Sequence, residues 1–126
     1  MREIEFRGKR CDNGNWAKGS LLCWKDGTRH ICEKDSDRSH LTRHSVCNRT
    51  VGQYTDLKDK DGNKIFEGDI VLYKKMKLPV RWDNEKAGFF IGNDRYWMMN
   101  DTDIEVIGNI HDNPELLEGI KEEDQQ

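Results

Sequence analysis

Residues 51–71, VGQYTDLKDKDGNKIFEGDIV, hold the pattern that decides the fold. Two short apolar runs, Val51 to Leu57 and Lys64 to Tyr73, flank the dipeptide Asp61-Gly62, and Gly68-Asp69 interrupts the second run. Asp-Gly between such runs marks a tight reversal, because Gly takes positive φ without the clash a Cβ would bring. An interior Gly in a strand pattern marks a bulge or bend. The stretch therefore reads as strands meeting across a turn, with Gly62 at positive φ.

The same grammar extends outward. Polar and apolar residues roughly alternate from Glu3 to Arg7, Asn13-Gly14 supplies a turn, and Trp16 to Trp24 reads as a returning strand. Asp26-Gly27 then leads into Thr28 to Cys32, giving a three-stranded meander. Residues 33–48 are polar, hold six Asp, Glu, Lys or Arg residues, and read as a long surface connection with at most a helical turn. Beyond residue 73, Leu78 to Trp82, Gly88 to Gly92 and Tyr96 to Met99 are short strands between charged links, and Ile104 to Ile110 closes the set. Short strands at close spacing suit a small closed or nearly closed barrel that hides its edges, and an SH3-like barrel is the first choice. Asn113 as N-cap, Pro114 at the first helical position, Glu115 in the first turn and Gly119 after the last apolar residue predict a helix of about two turns. Leu116 and Leu117 would plug a barrel mouth. The expected fold is mainly β: an N-terminal β-meander and variable loop over 1–48, a small SH3-like β-barrel with a short closing C-terminal helix over 49–119, and a flexible tail over 120–126.

Composition limits the function classes. The chain of 126 residues is only 34% hydrophobic and 36% charged, yet four Trp, four Phe and three Tyr are spread along it, which disordered segments lack. A folded domain with a heavily charged skin follows. The formal net charge of −3 gives no general footprint for phosphate backbones, so nucleic acid is not the default partner. There is no apolar run of bilayer length, and residues 1–10 alternate charge rather than open a signal peptide. The expectation is a soluble, cytoplasmic protein without membrane contact, in which Cys11, Cys23, Cys32 and Cys47 stay reduced.

The signature residues Gly52-Gln53-Tyr54-Thr55, Leu57-Lys58-Asp59-Lys60, Gly62-Asn63-Lys64-Ile65, Glu67-Gly68-Asp69-Ile70-Val71, Val106-Ile107-Gly108-Asn109-Ile110 and Asn113-Pro114-Glu115-Leu116-Leu117 together resemble the YopX family. The opening Arg2 to Arg7 also looks like the family's start. Asp56 stands where the family favours Gly, Phe66 where it favours Tyr, and His111 where Tyr is usual. The resemblance implies a β-rich protein with an SH3-type barrel in its C-terminal half, encoded by a phage, a prophage or another mobile element. It carries over no active site. Gly52, Gln53, Tyr54, Gly62, Gly68, Asp69, Gly108, Asn109 and Pro114 are taken as a structural signature.

Each candidate chemistry competes with a plainer explanation. Asp59-Lys60-Asp61-Gly62-Asn63 opens like a calcium loop, but Lys64 and Ile70 stand where that loop needs Gly and a bidentate Glu, so a solvated hairpin turn is expected. Cys32, His40, His44 and Cys47 would have to converge across the loop to bind zinc. Their spacing lacks any CxxC pair, and Cys on alternating strands is ordinarily a small buried hydrophobe. Glu67 and Asp69 could form an acid pair, with Asp69 as a brace for the adjacent turn as the simpler account. Lys74, Lys75, Lys77 and Arg81, beside Tyr73 and Trp82, form the one basic and aromatic cluster. Trp82 shares a register with Val80 and is expected in the core, leaving the lysines as a charged hairpin tip. Trp97-Met98-Met99 would line a peptide groove or simply pack in a strand. The sequence thus points to a non-enzymatic protein-interaction module without metal or cofactor. Its partner would be a host or phage protein, and self-association is compatible with the same reading. Nucleic acid on the 74–82 hairpin is the alternative.

Overall fold

In the computed structural model, which describes residues 3–35, 37, 39–92, 96–97 (backbone) and 103–117, the chain divides into two units, 1–54 and 55–126. The first unit is a meander of β1 (Phe6–Lys9), β2 (Trp16–Cys23), β3 (Arg29–Lys34) and β4 (Leu41–Val46), all antiparallel. A 3-10 turn, Asn48–Thr50, then returns the chain to β5 (Gly52–Lys58), whose Gly52 and Gln53 pair with Arg7 and Phe6. The reversals are built by side chains that accept nearby amides. Asn13 Oδ1 takes the Asn15 N–H at 2.9 Å, and Asp26 Oδ1 takes the Thr28 N–H at 2.9 Å. Ala17, Ile31 and Val46 form the core of this unit, with Phe6, Leu21 and Val51 packed against them.

The 33–48 segment corrects the sequence expectation. It is not a long surface connection: β3 runs on to Lys34, and Leu41–Val46 is a full strand paired with it from Arg29↔Val46 to Lys34↔Leu41. The segment's few apolar residues hide this, because the strand buries only Val46 fully.

In the second unit the latter part of β5 neighbours β6 (Lys64–Phe66), and β7 (Asp69–Tyr73), β8 (Met76–Asp83), β9 (Gly88–Ile91), β10 (Tyr96–Trp97) and β11 (Glu105–Asn109) form a sheet in the order β10-β9-β8-β7-β11. Ile65, Val71, Leu78, Val80, Ile91 and Ile104 make its core. The fold is mainly β, as the sequence indicates. Among the described residues, however, no pairing joins β10 to β11, so the sheet does not close into a barrel.

The expected C-terminal helix is also corrected. Residues Pro114–Leu117 form a single 3-10 turn, with the Leu116 N–H on the Asn113 carbonyl at 3.0 Å. The Asn113 Oδ1, expected to cap the helix, accepts the Asn109 N–H at the end of β11 at 3.2 Å. The turn lies over Gly108, where an added Cβ would come within 2.9 Å of Leu116 Cδ1, so Leu116 covers a sheet face rather than a barrel mouth. Glu118, Gly119, the proposed tail 120–126, the Trp97 side chain, Met98, Met99 and Arg2 lie outside the described residues. No helix among the described residues is long and apolar enough to cross a membrane.

Candidate functional site

The signature residues sit at the places where the backbone turns or locks. Tyr54 is buried and its N–H donates to the Glu5 carbonyl at 2.8 Å. Gly62 takes φ +85° at the tip of the β5–β6 turn. Gly68 takes φ +92°, donates to the Val80 carbonyl at 2.9 Å and accepts from the Ile110 amide at 2.9 Å. Asp69 is buried and its carboxylate accepts the Phe66 N–H at 2.7 Å, bridging over Glu67 and Gly68. It braces the bend. Asn109 Oδ1 accepts the amides of His111 and Asp112 at 3.0 and 2.9 Å, turning the chain towards Pro114.

Asp59 overturns an expectation. Instead of standing in a solvated turn it is 6% exposed, and its carboxylate gathers the amides of Asp61 (2.9 Å), Asn63 (2.8 Å) and the distant Val106 (3.0 Å), with the Asn63 side chain at 3.2 Å. Burial pushes its pKa up, but the Val106 and Asn63 hydrogen bonds and the Asp61 amide outweigh it and hold the carboxyl below its usual value. The calcium-like run is therefore a cap that ties the β5–β6 turn to β11.

The cysteine and histidine cluster does not assemble as the sequence allowed. Cys32 lies opposite Arg43 and His44 opposite Ile31, so the two point to opposite faces of the sheet. His44 Nε2 instead meets Glu33 Oε1 at 2.9 Å. His40 is at the β3–β4 turn with Asp35 and Asp37, all exposed. There the Ser39 hydroxyl and amide, with a further contribution from Asp35, hold the Asp37 carboxyl down at about 2. All four cysteines are free thiols and three are exposed, contrary to the buried role expected of them.

The basic cluster is split by the sheet. Lys74 and Lys75 form the two-residue turn between Tyr73 and Met76, at φ +50° and +69°. Lys77 and Arg81 lie on β8 on the face that holds Pro79, opposite Leu72 and Phe90. Trp82 projects to the other face, and it is not in the core as expected: it is 42% exposed. The last core rung is Val80↔Ile91, and β8 outruns it, leaving the indole against the edge of Phe89 at 5.0 Å and tied by Nε1 to Asn84 Oδ1 at 2.6 Å. No single surface therefore carries the lysines and the tryptophan together. Nothing in the sequence announced the exposure of Trp82, because strand alternation does not report where a core ends.

Comparison with known proteins agrees with this picture of a shared structural framework. The chain is similar to protein EF1440 from Enterococcus faecalis, whose crystal structure superposes with a TM-score of 0.63 at 21% identity over 94% of this chain and 100% of that one, which shows a common fold. No curated protein matches the sequence. The profile described as YopX protein matches residues 5–118, nearly the whole length and the span that holds the signature runs from Gly52 to Leu117, and the chain therefore belongs to the YopX family.

Proposed function

We propose that this protein is a non-enzymatic accessory protein of a phage, prophage or mobile element, acting in the cytoplasm as a module that binds a host or phage protein. Trp82 carries the reading. A large indole held rigid by Asn84 and Phe89, and left 42% exposed at a strand end, has the character of an interface anchor, a role in which Trp is enriched. We take the C-terminal unit as an SH3-like barrel left open, with this strand end as its binding rim. Asp69 is already engaged with the Phe66 amide, which favours a binding role over an acid pair with Glu67.

The test is affinity purification of tagged wild type and of Trp82→Ala from cells carrying the element. A specific protein retained by wild type and lost from an equally stable Trp82→Ala supports the reading. Equal retention by both, or turnover of nucleotide, nucleic acid or peptide that Asp69→Asn abolishes, overturns it. Nucleic acid on the 74–82 hairpin is the second reading, supported by the Lys74-Lys75 tip: two side chains held at positive φ are a strained presentation of charge.

A further inference from the structure

Residues directly opposite in an antiparallel pair share a face, and neighbours along a strand do not, so register divides the N-terminal sheet into two surfaces. Phe6, Ala17, Leu21, Ile31 and Val46 lie on one surface and make the core. The other surface carries Lys9, Lys18, Lys34 and Arg43, together with Arg7, which is buried, and none of its positions on β1 to β4 is Asp or Glu. Aromatic rings stand among these cations. The Arg7 guanidinium lies 4.6 Å from the Trp16 ring centre, and that of Arg43 lies 5.6 Å from the Trp24 ring centre. Trp24 is 43% exposed and meets the edge of His30 at 5.5 Å. Leu22 and Leu41 are exposed on the same surface. Of the nearby carboxylates, Asp26 and Asp37 sit on the turns, held by Thr28 and Ser39, while Glu33 of β3 faces the other way to His44 and reaches round to the Lys18 amide at 3.4 Å.

The whole-chain charge conceals this. Residues 1–54 hold eleven Lys and Arg against seven Asp and Glu, a net of +4, while residues 55–126 hold ten against seventeen, a net of −7. Together these give the −3 of the chain. A basic sheet surface with an exposed indole beside a guanidinium matches what an unpaired strand offers: a line of phosphates and a series of free π-faces. A duplex keeps its bases stacked inside and would leave the indole unused. An acidic polypeptide would engage the cations but has no comparable series of planar groups.

We propose that this surface of the N-terminal sheet binds single-stranded nucleic acid, with Lys18, Lys34 and Arg43 against phosphates and Trp24 stacking on a base. The proposal is separate from the protein-binding role of Trp82, which lies in the other unit, so either can fail alone.

The experiment is fluorescence anisotropy of labelled oligo(dT) and oligo(rU) with the full chain, starting at about 50 mM salt and raising it, since phosphate binding weakens steeply with salt. Wild type should bind, with quenching of Trp fluorescence. Trp24→Ala should weaken binding by about 5- to 150-fold, the range for loss of one stacked base. Lys34→Ala with Arg43→Ala should weaken it and lower the salt slope by about 1.4 to 1.8, as expected for two phosphate contacts. Thermal melts confirm that the variants are folded, and Thr42→Ala, exposed on the opposite face of the same strand, serves as the control. Absence of binding by wild type at the lowest salt overturns the proposal. So does binding that survives these changes and disappears with Lys74, Lys75, Lys77 and Arg81 all changed to Ala, and so does displacement by poly-glutamate as effective as by unlabelled oligonucleotide. A preference between the DNA and RNA oligonucleotides would identify the sugar.

Discussion

Asp59 shows how a turn residue can be a fastening point. Three backbone amides from two separate segments converge on one buried carboxylate, and hydrogen bonds to a charged acceptor are stronger than neutral ones. Asp59→Ala would leave those donors without their acceptor, and we expect a loss of about 3 kcal/mol, visible as a melting midpoint lower by about 10 °C or more. A melt unchanged from wild type would show that water replaces the carboxylate at no cost. Because the folded pKa lies below the unfolded one, this stabilisation is complete above the unfolded value and fades as pH falls through the folded value. Wild type should therefore lose stability below about pH 4, and Asp59→Asn should lose less over that window; parallel acid titrations of the two would refute the assignment. Lys60, whose ammonium is exposed and 3.7 Å from Glu105, should tolerate Ala with a change well under about 1 kcal/mol. The sequence could not separate these neighbours, since the amide that distinguishes Asp59 belongs to Val106, 47 residues away. Asp56 is the converse case. It holds φ +71° in β5, at the position where the sequence departs from the Gly usual in the family, so Asp56→Gly should raise stability by up to about 1 kcal/mol, measured by urea unfolding.

At the scale of elements, two glycines separate conformational strain from steric exclusion. Gly62 has φ +85° and open space around it, so Gly62→Val should cost about 1 to 2 kcal/mol of backbone strain and shift the melt by several degrees without disturbing binding. Gly19 sits mid-strand between β1 and β3, and a Cβ there would lie 1.9 Å from the Cys32 carbonyl oxygen. Since the obstacle is backbone, β2 and β3 would have to separate, and Gly19→Ala should cost about 3 kcal/mol or more. A milder effect than that of Gly62→Val would show that the sheet relaxes there easily. The sequence located the Gly62 turn because Asp61-Gly62 is a local signal read against its flanking strands. It gave no hint of Gly19, whose constraint comes from a neighbouring strand. The β4 strand and the 3-10 turn at Pro114–Leu117 differ from the sequence reading for a related reason: β4 is defined by pairing more than by its own apolar pattern, and the Asn113 side chain is engaged by the end of β11.

At the scale of the whole molecule, the summed charge and the apolar content each hide a division between the two units. Net charge treats 1–54 and 55–126 as one body, which is why the basic cluster drew attention to residues 74–82 of the acidic unit rather than to the sheet surface around Arg43. The cores differ as well. Among the described residues the N-terminal cluster buries only Ala17, Ile31 and Val46, one of them a methyl group, whereas the C-terminal cluster buries six side chains, each Val, Leu or Ile. Local opening free energy follows the apolar surface that opening exposes, so the two sheets should not share one stability. In native-state hydrogen exchange, amides of β2, β3 and β4 should be protected about tenfold less or weaker still than those of β7, β8 and β9, with the difference shrinking as denaturant brings global unfolding forward. Ile31→Ala should widen the gap by lowering protection in β2 to β4 alone, while Val71→Ala should narrow it. Equal protection throughout, with both substitutions lowering every amide together, would mean that the chain opens only as one cooperative unit and that the smaller core is not its weaker part.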